Sequence, residues 1–110
     1  MPIKTKDKGA RAEREAKHLL ESEGYFCTKS GGSLGVYDLV AINKKSIRLI
    51  QVKATSNKFY WNGVKRETKL MEESWNLLPK CASQEIWVRE RGKWTLYVFD
   101  TKDKEWGVMY

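Results

Sequence analysis

Apolar residues near the start of the chain recur with the period of a helix. Ala12, Ala16 and Leu20 are four residues apart and would form one face of a helix over residues 8–23. Gly24 follows this pattern directly, and glycine is common just past a helix C-terminus. We therefore expect the first helix to end at residue 23.

The later apolar segments are short, and most of them have the pattern of strands. The expected elements after the first helix are strands at 25–29, 36–42 and 47–54, a helix at 67–81, strands at 84–89 and 94–99, and an edge strand at 105–110. The order α-β-β-β-α-β-β predicts a single α/β domain, since no repeat or low-complexity segment interrupts the 110 residues. Residues 1–8 are polar and basic, and we expect a flexible arm there.

The hairpin formed by the second and third expected strands brings polar side chains together at one end. If Ile42 pairs with Ile47 across the turn, Asp38 lies opposite Gln51. Opposed residues have Cβ atoms about 5 Å apart, so two oxygen-bearing side chains could hold one divalent cation. Lys53 follows on the same face. The alternative is that the strand ends simply reach solvent, where polar residues are ordinary.

The first helix contributes one further candidate. Glu13 lies at the margin of the apolar stripe, so its carboxylate could point toward the sheet. The alternative is an acidic residue near the helix N-terminus, where negative charge is favourable.

The charge balance of the chain favours a polyanionic partner. There are 21 Lys and Arg against 14 Asp and Glu, which gives a formal net charge of +7. Nucleic acid is the commonest partner of such a surface, although a Lys-rich surface can also serve solubility alone. The aromatic residues 59–61 lie between basic residues, which suits either DNA contact or a dimer interface.

Several classes of site are excluded by composition. His18 is the only histidine, so metal sites or catalytic triads that need further histidines are not expected. Cys27 and Cys81 match no zinc-binding spacing, and we expect two buried, reduced thiols. The sequence contains no signal peptide and no apolar run near the roughly 20 residues that span a bilayer. We therefore expect a cytoplasmic protein without a membrane partner.

Five short motifs occur in a fixed order along the first half of the chain. They are Lys-Gly-Ala-Arg-Ala-Glu-Arg-Glu at 8–15, Gly-Tyr at 24–25, Lys-Ser-Gly-Gly-Ser at 29–33, Asp-Leu-Val-Ala at 38–41, and Ile-Gln-Val-Lys at 50–53. In these motifs the chain resembles the archaeal Holliday junction resolvases, members of the restriction-endonuclease-like, or PD-(D/E)XK, nuclease superfamily. The resemblance is strong over residues 8–54 and weaker from residue 56 onward.

The resemblance implies a fold and an activity. The fold would be a central mixed β-sheet flanked by helices, forming one nuclease domain over residues 1–110. The activity would be that of an Mg²⁺- or Mn²⁺-dependent endodeoxyribonuclease. It would hydrolyse phosphodiester bonds in four-way DNA junctions during recombination and repair. The resemblance also implies a homodimer, which can cut two strands symmetrically.

The resemblance further implies roles for individual residues. The catalytic group would be Glu13, Asp38, Gln51 and Lys53. The metal ligands would be Asp38, Gln51 and the backbone carbonyl of Val52, with Glu13 acting directly or through water. Arg14 and Lys29 would lie near the DNA phosphates, and Ser30 or Ser33 would lie in the loop beside the active site. The positive charges of Lys8, Arg11, Lys65 and Arg66, independently of the resemblance, add these four to the expected DNA-binding residues.

Gln51 departs from the family pattern, which usually has Glu at this position. An amide oxygen is still a hard ligand but carries no charge, so metal affinity would be lower or Mn²⁺ would be preferred. Two alternatives therefore stay open. One is a nuclease of the same superfamily with another DNA substrate, and the other is a non-catalytic DNA-binding relative with a weakened metal site. An RNA-binding domain is disfavoured, because the chain has no aromatic RNA-binding strand motif and no Gly-x-x-Gly clamp.

Overall fold

A computed structural model describes residues 5–30 and 36–109, without the side chains of residues 5–8. Its helices and strands are α1 Thr5–Ser22, β1 Phe26–Lys29, β2 Leu39–Ile42, β3 Ile47–Thr55, α2 Lys65–Ser74, β4 Ala82–Glu90, β5 Lys93–Asp100 and β6 Glu105–Val108. Short 3₁₀ turns at Trp61–Val64 and Trp75–Leu77 flank α2.

The six strands form one mixed sheet in the order β1-β2-β3-β4-β5-β6. Strands β3 and β4 are parallel, and the other neighbouring pairs are antiparallel. The parallel pair needs a crossover connection, which α2 and its flanking turns supply. The expected α/β fold with a mixed sheet is confirmed, and β6 is the expected edge strand.

The two helices pack on opposite faces of this sheet. On α1, Ala12, Ala16 and Leu20 belong to a buried cluster with Leu39 and Ile50 of the sheet. A second cluster contains Val64, Met71, Ile86 and Val88, and therefore lies under α2. Since side chains alternate along a strand, Ile86 and Val88 point away from the α1 side.

The register of the β2–β3 hairpin agrees with the sequence expectation. Ile42 pairs with Ile47, and Val40 pairs with Leu49. The pairing continues toward the site as far as Leu39. The antiparallel continuation of this register leads to Asp38 and Gln51.

Some element bounds differ from those expected. Helix α1 begins at Thr5 rather than at residue 8, so the expected arm is helical in its second half, while residues 1–4 lie outside the described part. Strand β2 begins at Leu39 rather than at residue 36. Helix α2 ends at Ser74 rather than near residue 81, and its continuation is a single 3₁₀ turn before Pro79.

The two cysteines lie in different environments. Cys27 is buried, as expected, whereas Cys81 is exposed in the connection before β4, so the expectation of a buried thiol there was wrong. Neither cysteine forms a disulfide. In the described ranges 5–30 and 36–109, no helix has the length and apolar character needed to cross a membrane.

A buried ion pair crosses from β3 to β4 on the α1 side of the sheet. Arg48 Nε and Nη2 donate to the two carboxylate oxygens of Glu85, each at 2.8 Å. Ser83 Oγ and Trp87 Nε1 donate to the same carboxylate at 2.6 and 2.9 Å. Burial disfavours the charged guanidinium, but its hydrogen bonds to Glu85 raise the pKa of Arg48 above the usual range. The buried Glu85 carboxylate thus accepts four hydrogen bonds from three side chains.

Candidate active site

The backbone of Asp38 is fixed between two strands. Its N–H donates to the carbonyl of Ile50 at 2.7 Å, and its own carbonyl accepts from the N–H of Ser30 at 2.9 Å. Tyr37 packs against the α2-side cluster, and its hydroxyl accepts a hydrogen bond from Gln84 Nε2 of β4. The residue before Asp38 is therefore anchored as well, which holds the carboxylate in one place.

The Asp38 carboxylate continues the β2–β3 ladder. The N–H of Val52 donates to Asp38 Oδ2 at 2.8 Å, so a side-chain oxygen stands where a backbone carbonyl of a longer β2 would otherwise be. This substitution explains why the strand begins at Leu39 instead of residue 36. It also aims the carboxylate at the middle of β3.

Gln51 contacts the same carboxylate. Its Nε2 donates to Asp38 Oδ2 at 3.1 Å and lies 3.5 Å from the carbonyl oxygen of Val52. A partly positive NH₂ group thus sits between two oxygen acceptors, where a cation would be attracted by both. Rotating the amide by half a turn would exchange the positions of Nε2 and Oε1. Oε1 would then face this position and could serve as a ligand of the cation.

Charged groups surround Asp38 on two sides. Burial raises the pKa of the Asp38 carboxyl, and the charge of Glu67 raises it further. The hydrogen bond from Val52 and the charge of Lys53 lower it in part. Lys53 follows Gln51 on the same face of β3, about 7 Å further along the strand. The predicted group of Asp38, Gln51 and Lys53 is therefore brought together.

Glu13 approaches the same place from α1. Burial raises its pKa, the charge of Asp38 raises it further, and the charge of Lys29 lowers it. Glu13 is therefore close enough to Asp38 for the two charges to interact, although α1 packs on the face of the sheet opposite to Gln51 and Lys53. Asp38 itself lies just before the first residue of β2.

Glu67 was missed by the sequence reasoning. It lies in the first turn of α2, where an acidic residue is ordinary. Its effect on the pKa of Asp38 depends on how the crossover connection places α2 over the sheet. No local sequence signal distinguishes it from Glu72 or Glu73 on the same helix.

These groups fit a divalent cation in chemistry and in charge. Asp38, Gln51 and the Val52 carbonyl offer oxygen atoms, which Mg²⁺ and Mn²⁺ prefer. Among residues 5–30 and 36–109, no three His, Cys, Asp or Glu residues lie close enough to hold an ion by themselves. Gln51 and the backbone oxygen would therefore be needed as ligands, with the carboxylates of Glu13 and Glu67 at longer range.

The expected DNA-binding residues fall into three groups. Lys29 and Ser30 adjoin the site, through the effect of Lys29 on Glu13 and the hydrogen bond of Ser30 to the Asp38 backbone. Arg11 and Arg14 of α1 and Lys65 and Arg66 of α2 are exposed on the two helices. The Lys8 side chain and Ser33 lie outside the described part of the chain.

The aromatic segment before α2 is anchored on the core. Phe59 stacks on Tyr97 with ring centroids 6.0 Å apart. Trp61 packs edge-on against Tyr97 at 4.9 Å and lies 5.9 Å from Trp106. Only Tyr60 of the three is largely exposed, at 65%. These contacts favour a structural role for Phe59 and Trp61.

The sequence is similar to a known protein family and to one of its characterised members. The family model described as archaeal Holliday junction resolvase (Hjc) matches residues 4–105. The crossover junction endodeoxyribonuclease Hjc of Methanocaldococcus jannaschii is 46% identical over 56 residues. That alignment covers 50% of this chain and 41% of the relative, so less than half of the relative's length is matched.

Two solved structures share the fold. One is a 1.6 Å structure of Archaeoglobus fulgidus Hjc, a Holliday junction resolvase, with a TM-score of 0.58 and 20% identity, covering 81% of this chain and 70% of that one. The other is the bacterial homing endonuclease I-Ssp6803I, with a TM-score of 0.55 and 23% identity, covering 97% and 73%. The expected restriction-endonuclease-like fold is thus confirmed. Because the family model matches nearly the whole chain, the protein belongs to the archaeal Holliday junction resolvase family.

Proposed function

We propose that the protein is a metal-dependent DNA endonuclease that hydrolyses phosphodiester bonds in four-way junctions. The observation that carries this proposal is the contact of the Asp38 carboxylate with both the Gln51 side chain and the Val52 backbone. Lys53 lies on the same strand face. Membership of the resolvase family supports the junction as the substrate.

The bound ion would be Mg²⁺ or Mn²⁺, held by oxygen atoms of Asp38, Gln51 and Val52, with Glu13 acting through water. When bound, such an ion neutralises phosphate charge and lowers the pKa of a water molecule. Because Gln51 is neutral, it would bind the ion more weakly than the usual Glu.

The protein's own side chains then have separate tasks. The N–H of Val52 holds the Asp38 carboxylate in place. The ammonium of Lys53 can donate to a phosphate oxygen or orient the attacking water, and it would stabilise negative charge that develops on the phosphate. Lys29 and Arg14 would bind neighbouring phosphates.

We also propose that the protein acts as a homodimer, since symmetric cleavage of a junction requires two active sites. Large apolar side chains on the described surface support this. Phe26 of β1 and Ile42 of β2 are cross-strand partners and expose 71% and 41% of their area, so they form an adjacent apolar pair of the kind that protein interfaces bury. Sedimentation velocity at micromolar concentration should give the mass of a dimer, and a monomer on junction DNA would contradict this part of the proposal.

The proposed activity is tested by comparing substrates and ions. Linear duplex, single strand and four-way junction are each incubated with the protein in Mg²⁺, Mn²⁺ or EDTA, and the products are sized on denaturing gels. We expect paired symmetric nicks in the junction alone, in Mg²⁺ or Mn²⁺ but not in EDTA.

Other outcomes separate the alternatives. Metal-dependent cleavage of duplex or single strand in preference to the junction would indicate a related nuclease with another substrate. Tight junction binding without cleavage in either ion would indicate a non-catalytic relative, in which the neutral Gln51 side chain binds the ion too weakly for catalysis. Neither binding nor cleavage of any DNA would overturn the proposal.

A further inference from the structure

A basic cavity lies on the α1 side of the sheet, at the C-terminal ends of β3 and β4. Its volume is about 360 Å³, large enough for a phosphate group with several waters. The polar residues that line it are Arg11 and Glu15 of α1, Thr55 of β3, Ser56, Arg89 of β4 and Arg91 of the β4–β5 turn. We call these six residues the arginine groove. Three of the six are arginines, and Glu15 is the one acidic residue among them.

The groove continues on both sides. A hollow along α1 shares Arg11 with it and adds Arg14 and His18. A hollow beyond the β4–β5 turn shares Arg91 with it and adds Lys58 and Lys93. Basic residues therefore follow one path across the end of the sheet, as expected for a surface that tracks a nucleic-acid backbone.

Arg89 is held in place within the groove. Its guanidinium contacts the Glu15 carboxylate and lies 5.7 Å from the centre of the Trp94 ring. Trp94 Nε1 donates to the same Glu15 carboxylate at 3.0 Å. Glu15 thus positions Arg89, and the charges of Arg11 and Arg91 remain available to an anion.

Arg91 occupies an unfavourable backbone position. It has φ 52° and is followed by Gly92 with φ 81°, and Glu90 pairs with Lys93 around them. In a two-residue turn of this kind the first residue is normally Asn, Asp or Gly, because a left-handed conformation is costly for other side chains. Arg91 therefore holds a charged side chain at a turn position where Asn, Asp or Gly is the usual residue.

Backbone contacts place Arg91 at the C-terminal end of β3. Thr55 pairs with Glu90 across β3 and β4, and the N–H of Arg91 donates to the carbonyl of Thr55 at 3.3 Å. Thr55 lies four residues after Gln51, which is about 13 Å along the strand. The turn that carries Arg91 is therefore separate from the contacts of Asp38 with Gln51 and Val52.

We propose that the arginine groove binds the sugar-phosphate backbone of a DNA arm, with Arg91 as a phosphate contact. This inference rests on the proposed function. It adds a second point of attachment, separate from the residues around Asp38.

Arg91→Asn is a sharp test of this contact, because Asn suits the left-handed turn better than Arg does. The variant removes one charge and is expected to be at least as stable as the wild type. Lys104→Asn is the matched control. Lys104 is also a basic turn residue at positive φ (58°), but it lies in the β5–β6 turn at the opposite end of the sheet.

Binding of a labelled four-way junction is measured in EDTA, where no cleavage occurs, over a series of salt concentrations. For Arg91→Asn we expect affinity to fall about three- to tenfold and the slope of log K against log [salt] to fall by about one. Lys104→Asn should match the wild type in both. Arg91→Lys, which keeps the charge, should keep the slope.

The outcomes separate this inference from the proposed function. If the wild type binds and cuts the junction but Arg91→Asn binds with unchanged affinity and slope, the inference is overturned and the proposed function stands. If Lys104→Asn weakens binding as much as Arg91→Asn, the effect is general charge and the inference is again wrong. A wild type that binds no junction overturns both.

Discussion

Two groups of polar side chains along β3 differ in how completely their charges and hydrogen-bonding atoms are paired. At its beginning, Arg48 pairs with Glu85 inside the protein, and both carboxylate oxygens accept hydrogen bonds from charged or neutral donors. Near its middle, Asp38 accepts bonds, among residues 5–30 and 36–109, from the neutral groups of Gln51 and Val52. The negative charge of Glu67 and the positive charge of Lys53 act on it in opposite directions.

This contrast separates a polar group that supports the fold from one that can bind a ligand. The Arg48–Glu85 pair has no need of a further ligand, so its removal should affect folding. The group around Asp38 has more negative charge than its surroundings balance, so a cation would stabilise it. The predictions below test whether the two groups separate in this way.

The largest effect is expected for Asp38→Asn. The variant keeps an oxygen that can accept from Val52 but loses the charge that would bind the ion. Junction cleavage should fall by about a thousandfold or more, while binding of the junction changes little. The measurement is single-turnover cleavage in Mg²⁺. Asp100→Asn, at an exposed acid that caps the β5–β6 turn, is the matched control and should cut normally. Cleavage by Asp38→Asn at the wild-type rate would refute the site.

The second effect concerns Glu85→Gln, which leaves the Arg48 charge buried without its partner. Breaking a buried pair costs about 3 kcal/mol, so the free energy of unfolding in urea should fall by about that amount. Cleavage per folded molecule should be unchanged. The control is Glu23→Gln, because Glu23 also contacts Arg48, at 3.7 Å, but is largely exposed. Equal losses in the two variants would remove the contrast between the two groups.

A smaller effect is expected for Gln51→Glu. This change restores the charge that the family usually has at this position and should tighten metal binding. Cleavage should be retained or raised a few-fold, with half-maximal rate at a lower Mg²⁺ concentration. A Mg²⁺ titration of the cleavage rate measures this. A large loss of activity would mean that the ligands are arranged differently.

The smallest effect concerns pH and folding. The pKa of Asp38 is raised by burial and by Glu67, so its contribution to stability is present at low pH and is lost as the pH rises through the raised value. In EDTA, Asp38→Asn should therefore gain stability relative to the wild type between about pH 3 and pH 7. Urea unfolding at both ends of this range measures the difference. A constant difference would contradict the raised pKa.

Local pattern predicted much of this molecule. The register of the β2–β3 hairpin followed from turn length and alternation, and it placed Asp38 beside Gln51. The helical spacing of Ala12, Ala16 and Leu20 correctly gave the buried face of α1.

The remaining features depend on contacts between distant segments. Arg48 was not singled out, because its burial depends on Glu85, which is 37 residues away. Glu67 reaches Asp38 only through the packing of α2. The late start of β2 at Leu39 was missed because a side-chain carboxylate, rather than a backbone group, accepts the hydrogen bond from Val52.

Anomalous diffraction from crystals soaked in Mn²⁺ would show whether Asp38 and Gln51 bind a divalent ion. We expect one strong peak within about 2.1 Å of a carboxylate oxygen of Asp38 and of Oε1 of Gln51, and the peak should disappear in crystals of Asp38→Asn. A soaked crystal with no peak there, or with the ion held elsewhere, would contradict the assignment.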